Sequence, residues 1–446
     1  MDFSDIKAIL ADEAAKRKIE EYELYYSSET SVSTETLKDE ISAFSSGTTR
    51  GICFRCKLDG KIGYAATELF DEDELRGLVL RASENARFIE KSDGIIFKGS
   101  EKYEELPKRE YTALSAAELK RIALDIQKKT YEADKRVTDG TQSFAATQFG
   151  EIRLFNSYGL DLCCASGGNI VYANPVMKDG EESQSDFEAA AYDSSTDISS
   201  LVKKSVEKTV GKFGARNVAS GKYSVVISAK QMKALLGVYS SAFSAKQAQN
   251  GLSVLAGKEG ERIASELITV TDDPMREGNP YITNFDAEGV AAYKKTVVDK
   301  GILKTLLYNL ETAKKAGVQS TGNASKSGYA SPIGTSPYSF CIEGGDKTLD
   351  ELFELAENGI YITELKGLHA GADPVTGDFS LESAGFIIEN GKLSNAVKNF
   401  TLAGNFFEIL RSVCAISDNV EMGVPGGDTA FGAPAFFIEK MSIAGE

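Results

Sequence analysis

The sequence predicts an α+β fold: an N-terminal domain of antiparallel sheets with packed helices, then a C-terminal β-rich domain with interspersed helices. Three observations carry this. Two amphipathic helix patterns, 71–90 and 115–134, each adjoin runs of alternating, strand-like residues. The 446 residues include 41 glycines and only 9 prolines, the balance that many tight turns require. The second half alternates hairpin signals such as Asn390-Gly391 with short helical stretches. A chain of this length exceeds one core, so two domains are expected, 1–214 and 220–446. The small, polar run GARNVASG (214–221) marks the boundary between them. Helix then sheet, twice over, suggests that the first domain holds two similar units, about 1–105 and 106–214.

Taken in order, MDFSDIKAILADEAAKRK is an amphipathic helix with acidic residues early. YELYYSSETSVSTE (22–35) is a long strand; 41–44 and 50–58 continue in strand fashion, and a hairpin at Asp59-Gly60 returns through 62–67. In the helix 71–90, Leu75, Leu78, Val79, Ala82 and Ala86 form the buried stripe. Ser115 and Glu118 make a capping box for the helix 115–134. Strands follow at 137–149, 152–156, 160–165, 170–173 and 187–192, with turns at Gly150 and Tyr158-Gly159, then a helix at 201–213. The second domain opens with a strand at 223–227 feeding the helix SAKQMKALLGVYSSAFSAKQAQNG (228–251). Ser228 and Gln231 match a capping box, and Met232, Leu235, Leu236, Tyr239 and Phe243 share one face. A short helix at 260–267, a hairpin around Lys300-Gly301 and a helix ending at Gly317 come next. From Ser325 the chain becomes rich in glycine, serine and proline, and strands at 379–389, 392–397 and 435–441 close it.

Composition restricts the function. The 50 basic and 66 acidic residues give a net charge of −16, which opposes a phosphate backbone and argues against direct nucleic-acid binding. No run reaches membrane-span length, and the N-terminus lacks the pattern of a secretory signal, so a soluble, cytoplasmic protein without a membrane partner is expected. Cys53 and Cys56 resemble a C-x-x-C motif, but within a strand residues three apart point to opposite faces, so the pair is structural.

A single histidine, His369, excludes any two-histidine metal site and routes all Ser/His or Cys/His chemistry through one residue. It lies in a polar, glycine-rich loop, where an ordinary solvated side chain is the commoner role. Ser200-x-x-Lys203 has nucleophile spacing without the companion motifs. Asp272, Asp273, Asp373 and Asp378 match no calcium-loop spacing. The segment 325–345 is a shaped loop stiffened by Pro332 and Pro337, of the kind that lines sites.

Four stretches together resemble the TldD/PmbA family: GYASPIGTSPYSFCIEGG (328–345), DPVTGDFSLESAGFIIENGKLSNAVKNFTLAGN (373–405), GKEGERIASELITVTDDP (257–274) and TSVSTETLKDEISAFSSGTTRG (30–51). They fall in the family's order along the whole chain. The resemblance implies paired subunits, of which the TldD-like one is a zinc peptidase. That subunit carries H-E-x-x-x-H on the helix equivalent to 228–251 and a third ligand, cysteine, near its C-terminus. Histidines five apart are poorly phased on a regular α-helix, so that segment is expected to need a bulge. Here Gly237 and Ala242 stand at the histidine positions, Val238 at the glutamate and Pro425 near the cysteine; Cys414 lies too far upstream to replace it.

The resemblance therefore implies a PmbA/TldE-type subunit with no catalytic residue and no cofactor of its own. Its expected partners are a zinc-bearing TldD-like homologue and an unstructured peptide substrate held in an enclosed cavity. Tyr239, Phe243, Ser331, Ser336, Tyr338 and His369 are the candidate groove residues. The family's association with DNA gyrase modulation is then indirect, through proteolysis of a regulator. Two alternatives remain: a homodimeric peptide-binding or scaffold protein acting alone, and a hydrolase built on His369 with Asp373 or Asp378.

Overall fold

The computed structural model describes residues 2–89, 94–100, 102–108, 111–424 and 429–445. The first half is organised around two long neighbours, Glu21–Leu37 and Gln142–Asn156, paired antiparallel along their whole length. They are the centre of a six-stranded sheet in the order Lys61–Thr67, Glu40–Leu58, Glu21–Leu37, Gln142–Asn156, Asp161–Asn174, Glu188–Tyr192. The two helix–sheet units of this half thus share one sheet. Helices Phe3–Lys16 and Glu72–Phe88 cover one part of a face, and Ala116–Ala133 with Ile198–Gly211 cover the next part. The Ser115–Glu118 capping box forms as expected.

Glycine misled the strand boundaries. Gly47 and Gly150 lie inside Glu40–Leu58 and Gln142–Asn156, where Gly47 pairs with Ser31 and Gly150 with Glu29 and Ser166. Neighbouring strands supply the ladder that local propensity does not. Real turns have left-handed backbone: φ is 49° and 78° at Asp59-Gly60, and 51° and 73° at Asn390-Gly391. The expected turn at Gly150 is absent, because no such twist is needed there.

In the second half, strands Lys392–Asn405, Asp378–Glu389, Gly359–Lys366, Gly221–Ile227 and Phe436–Ala444 form a sheet that closes on itself. Closure comes from Thr401 and Leu402 pairing with Ala444 and Ile443, which leaves few edges to protect. A second sheet holds Val270–Asp272, Lys295–Asp299, Ser339–Ile342, Ala430–Ala433 and two short edge strands. Helix Ala229–Tyr239 lies between these sheets, and its apolar face is the middle of the largest core. The helix expected at 260–267 does not form. That segment wraps the Gly301 turn instead, with the amides of Ile263 and Ala264 bonded to the Gly301 carbonyl.

Candidate functional site

The segment 228–251 is not one helix. Ala229–Tyr239 is α-helical, Ser240–Phe243 tightens into a 3-10 turn, and Ala245–Gln249 resumes as α. The expected bulge is not what forms: the departure from α geometry is a tighter, 3-10 turn. Ser228 caps the helix by accepting from the Gln231 amide, but the Gln231 side chain donates 2.7 Å to the Thr363 carbonyl, so only half of the capping box forms.

Gly237, Val238 and Ala242, the positions where the resemblance puts the ligands and base, carry no donor and are packed. A Cβ on Gly237 would stand 3.4 Å from the Phe431 ring. Val238 packs against the core, and Ala242 is fully buried. The hairpin that brings Phe431 over the helix is tied by Lys233 Nζ to Glu421 Oε1 at 2.8 Å. Pro425 lies outside the described residues. Among the described residues no three His, Cys, Asp or Glu converge to hold a metal ion. Zinc does not fit this donor set, because glycine, valine and alanine side chains offer no lone pair.

Tyr239 and Phe243 are corrected: neither faces a groove, since both are 0% exposed. They continue the helix stripe of Leu235 and Leu236 into the core, where Tyr239 stacks on Phe406 at 4.8 Å and Phe243 meets Phe340 edge-on at 5.1 Å. The Tyr239 hydroxyl donates 2.9 Å to the Asp378 carbonyl, and burial pushes its phenol up to about 12.

The glycine-rich loop is anchored at both ends. Ser336 and Tyr338 belong to one network. The Asn323 amide donates to the Ser336 carbonyl at 3.0 Å and to Asp272 Oδ2 at 2.7 Å. Asp272 also accepts from the Tyr338 backbone at 2.7 Å and pairs with Lys295 at 3.2 Å, with both charged side chains buried. The Ser336 hydroxyl meets Thr429, two residues before Phe431, so Ser336, Tyr338 and Gly237 flank the same hairpin. Ser331 stands apart, in a turn where Lys326 Nζ donates 2.6 Å to its carbonyl. That turn docks on the N-terminal sheet, with Tyr329 against Gly51 and Lys326 over the Tyr25 ring.

His369 is exposed, on the four-residue helix Leu368–Gly371. The acids nearby in sequence are occupied in turns. Asp373 Oδ1 accepts from the amide of Val375 at 2.8 Å, and Asp378 Oδ1 from Asn405 Nδ2 at 2.9 Å. Those bonds hold Asp378 below the usual carboxylate range, the Asn405 contact contributing most. Both carboxylates are engaged by donors of their own turns and of Asn405, not by His369.

A buried cluster that the sequence reading missed joins the two halves of the chain. Glu23 and Arg55 face each other across neighbouring strands, and Arg55 Nη1 lies 3.4 Å from Glu23 and 3.9 Å from Glu288 of the second half. Glu288 accepts from the Leu310 amide at 2.8 Å, while Asp286 accepts from the amides of Glu288, Val290 and Ala324. Burial raises the Asp286 and Glu288 carboxyls well above the ordinary range. The available signal was two charges, Glu23 and Arg55, inside otherwise apolar strand runs. Cys53 and Cys56 flank Arg55 from opposite faces, both buried.

Comparison with known proteins places the whole chain. Models of PmbA/TldA metallopeptidase domain 1, the central domain and the C-terminal domain match residues 22–86, 109–213 and 220–445. A Methanocaldococcus jannaschii protein is 31% identical over 88% of this chain and 90% of its own length. A metalloprotease of the same organism is 29% identical over 88% of each chain. A Thermotoga maritima structure bearing a DNA gyrase modulator name superposes with a TM-score of 0.90 at 26% identity, covering 99% of this chain and 100% of that one. TldE from Thermococcus kodakarensis shares the fold, with a TM-score of 0.88 at 24% identity over 98% and 99% of the two chains. From its N-terminal sheet to its closed C-terminal sheet, the chain belongs to the PmbA/TldD metallopeptidase family.

Proposed function

We propose that this chain is the non-metal-binding, PmbA/TldE-like subunit of a heteromeric zinc metallopeptidase acting on unstructured peptides. The observation that carries the reading is the packing of Phe431 on Gly237: the catalytic helix is retained as core, while its ligand and base positions are apolar and filled. The zinc-bearing homologue supplies the metal, which makes a bound water nucleophilic near neutral pH. This chain supplies cavity wall, peptide contacts and a subunit surface. With Tyr239 and Phe243 removed to the core, Ser331, Ser336, Tyr338 and His369 remain as peptide-contact candidates.

The test is purification of the chain alone and together with an H-E-x-x-x-H homologue, measuring zinc content and cleavage of an unstructured peptide. Cleavage is expected only from the mixture, with zinc in the homologue. Stoichiometric zinc and cleavage by the isolated chain would overturn the reading.

A further inference from the structure

The helix-bearing face of the N-terminal sheet has a gap. One helix pair covers Tyr22, Leu24 and Tyr26, and the other covers Val32 and Ala145. Between them runs the row Arg50–Ser28–Glu151, in register across three strands. A cavity of about 310 Å³ opens there. Its walls are aromatic, with Phe3 and Phe70 meeting Tyr26 at 5.8 and 6.3 Å in edge-to-face arrangements. Each outer ring carries a guanidinium: Arg153 lies 5.0 Å over Phe3 and Arg50 lies 4.9 Å over Phe70. The two cations differ in one respect. Arg153 is held by both Glu151 oxygens at 2.6 and 3.2 Å, whereas Arg50 has no carboxylate partner among the described residues. In a chain of net charge −16 this is a local, uncompensated positive site.

Arg50 also marks the place where a strand edge becomes free. Glu40–Leu58 is paired on one side with Glu21–Leu37 throughout, but on the other side Lys61–Thr67 covers only Ile52–Leu58. Residues 43–49, AFSSGTT, hold neither proline nor charge, two of the features that commonly blunt an edge. They are exposed. A strand added here must end at Arg50, because Thr67 already occupies the position opposite Ile52.

We propose that this edge and cavity bind the C-terminal end of an extended peptide. Its backbone adds to residues 43–50 in parallel, its apolar last side chain enters the Phe3–Tyr26–Phe70 cavity, and its α-carboxylate pairs with Arg50. Three features select this ligand. Edge backbone groups recognise an extended chain without regard to sequence. The blocked position opposite Ile52 selects a chain terminus, and the unpaired guanidinium selects the anionic terminus over the cationic one. The site lies wholly in this chain and needs no zinc-bearing partner, so it stands or falls separately from the heteromeric reading.

The test is fluorescence anisotropy of the full chain with an N-terminally labelled Ser/Thr-rich hexapeptide ending in phenylalanine, as free acid and as C-terminal amide. The free acid is expected to bind about tenfold or more tightly than the amide, the scale of one charge-assisted contact. Arg50→Gln should abolish that discrimination while the chain stays folded, with the melt lowered by only a few degrees for the loss of the exposed contact with Phe70. N-methylation of the peptide at alternate residues should weaken binding if the edge is used. Equal binding of acid and amide, discrimination that survives in Arg50→Gln, binding indifferent to N-methylation, or no binding at about 1 mM peptide (about −4 kcal/mol) overturns the proposal.

Discussion

The Phe431 ring packs on the helix at Gly237, 3.4 Å from where a Cβ would stand. That distance is an ordinary contact for a methyl group, whereas an imidazole directed at the ring would have to displace it. Gly237→Ala should therefore stabilise the chain by about 0.5–1 kcal/mol through helix propensity. Gly237→His should destabilise it by about 1–3 kcal/mol through overpacking. Denaturant midpoints of the two variants check both signs.

Tyr329 makes a similar contact between the two halves of the chain. A Cβ on Gly51 would lie 2.5 Å from its ring, so even Gly51→Ala must displace the 325–335 loop from the N-terminal sheet. The expected result is a loss of about 1–3 kcal/mol and faster limited proteolysis within that loop.

Lys295 and Asp272 form a buried pair that orders the loop's other end. Lys295→Met leaves a buried carboxylate without its cation and should cost about 3–5 kcal/mol. Adding Asp272→Asn should recover part of the loss, because it removes the buried charge, although the single amide oxygen then serves only one of the two donors that reach Oδ1 and Oδ2, the Tyr338 amide and Asn323 Nδ2. A double-mutant cycle of unfolding free energies measures this.

The domain seam should be sensitive to pH. Burial raises Asp286 and Glu288 above the ordinary carboxylate range of about 4, so between that range and their folded values the native state binds more protons than the unfolded one. Stability is then greatest at the acidic side of that window and falls as pH rises through the folded values. Thermal melts should drop between about pH 6 and pH 8.5, where ordinary carboxylates no longer titrate. Glu288→Gln should flatten that slope, and an unchanged slope would remove Glu288 as its source.

Much of the fold was legible locally. Helix caps at Ser115 and turns at Asp59-Gly60 and Asn390-Gly391 follow from backbone chemistry within four residues, and the structure holds them as expected. Gly47 and Gly150 were not legible, because a strand interior is decided by partners such as Ser31 and Glu29. Tyr239 and Phe243 show the same division for the site. Their helical spacing was correct, but only the opposing Phe406 and Phe340 determine that this face is core and not groove.

The sequence by itself determined the absence of ligand chemistry at positions 237, 238 and 242, because side-chain donors are a property of residue type. It also determined the α+β class, through periodicity. The tertiary structure decided what fills that place, which charges meet at the Glu23–Arg55–Glu288 seam, and where Glu40–Leu58 loses its neighbour. Those outcomes depend on pairings between residues far apart in the chain, and no local spacing specifies them.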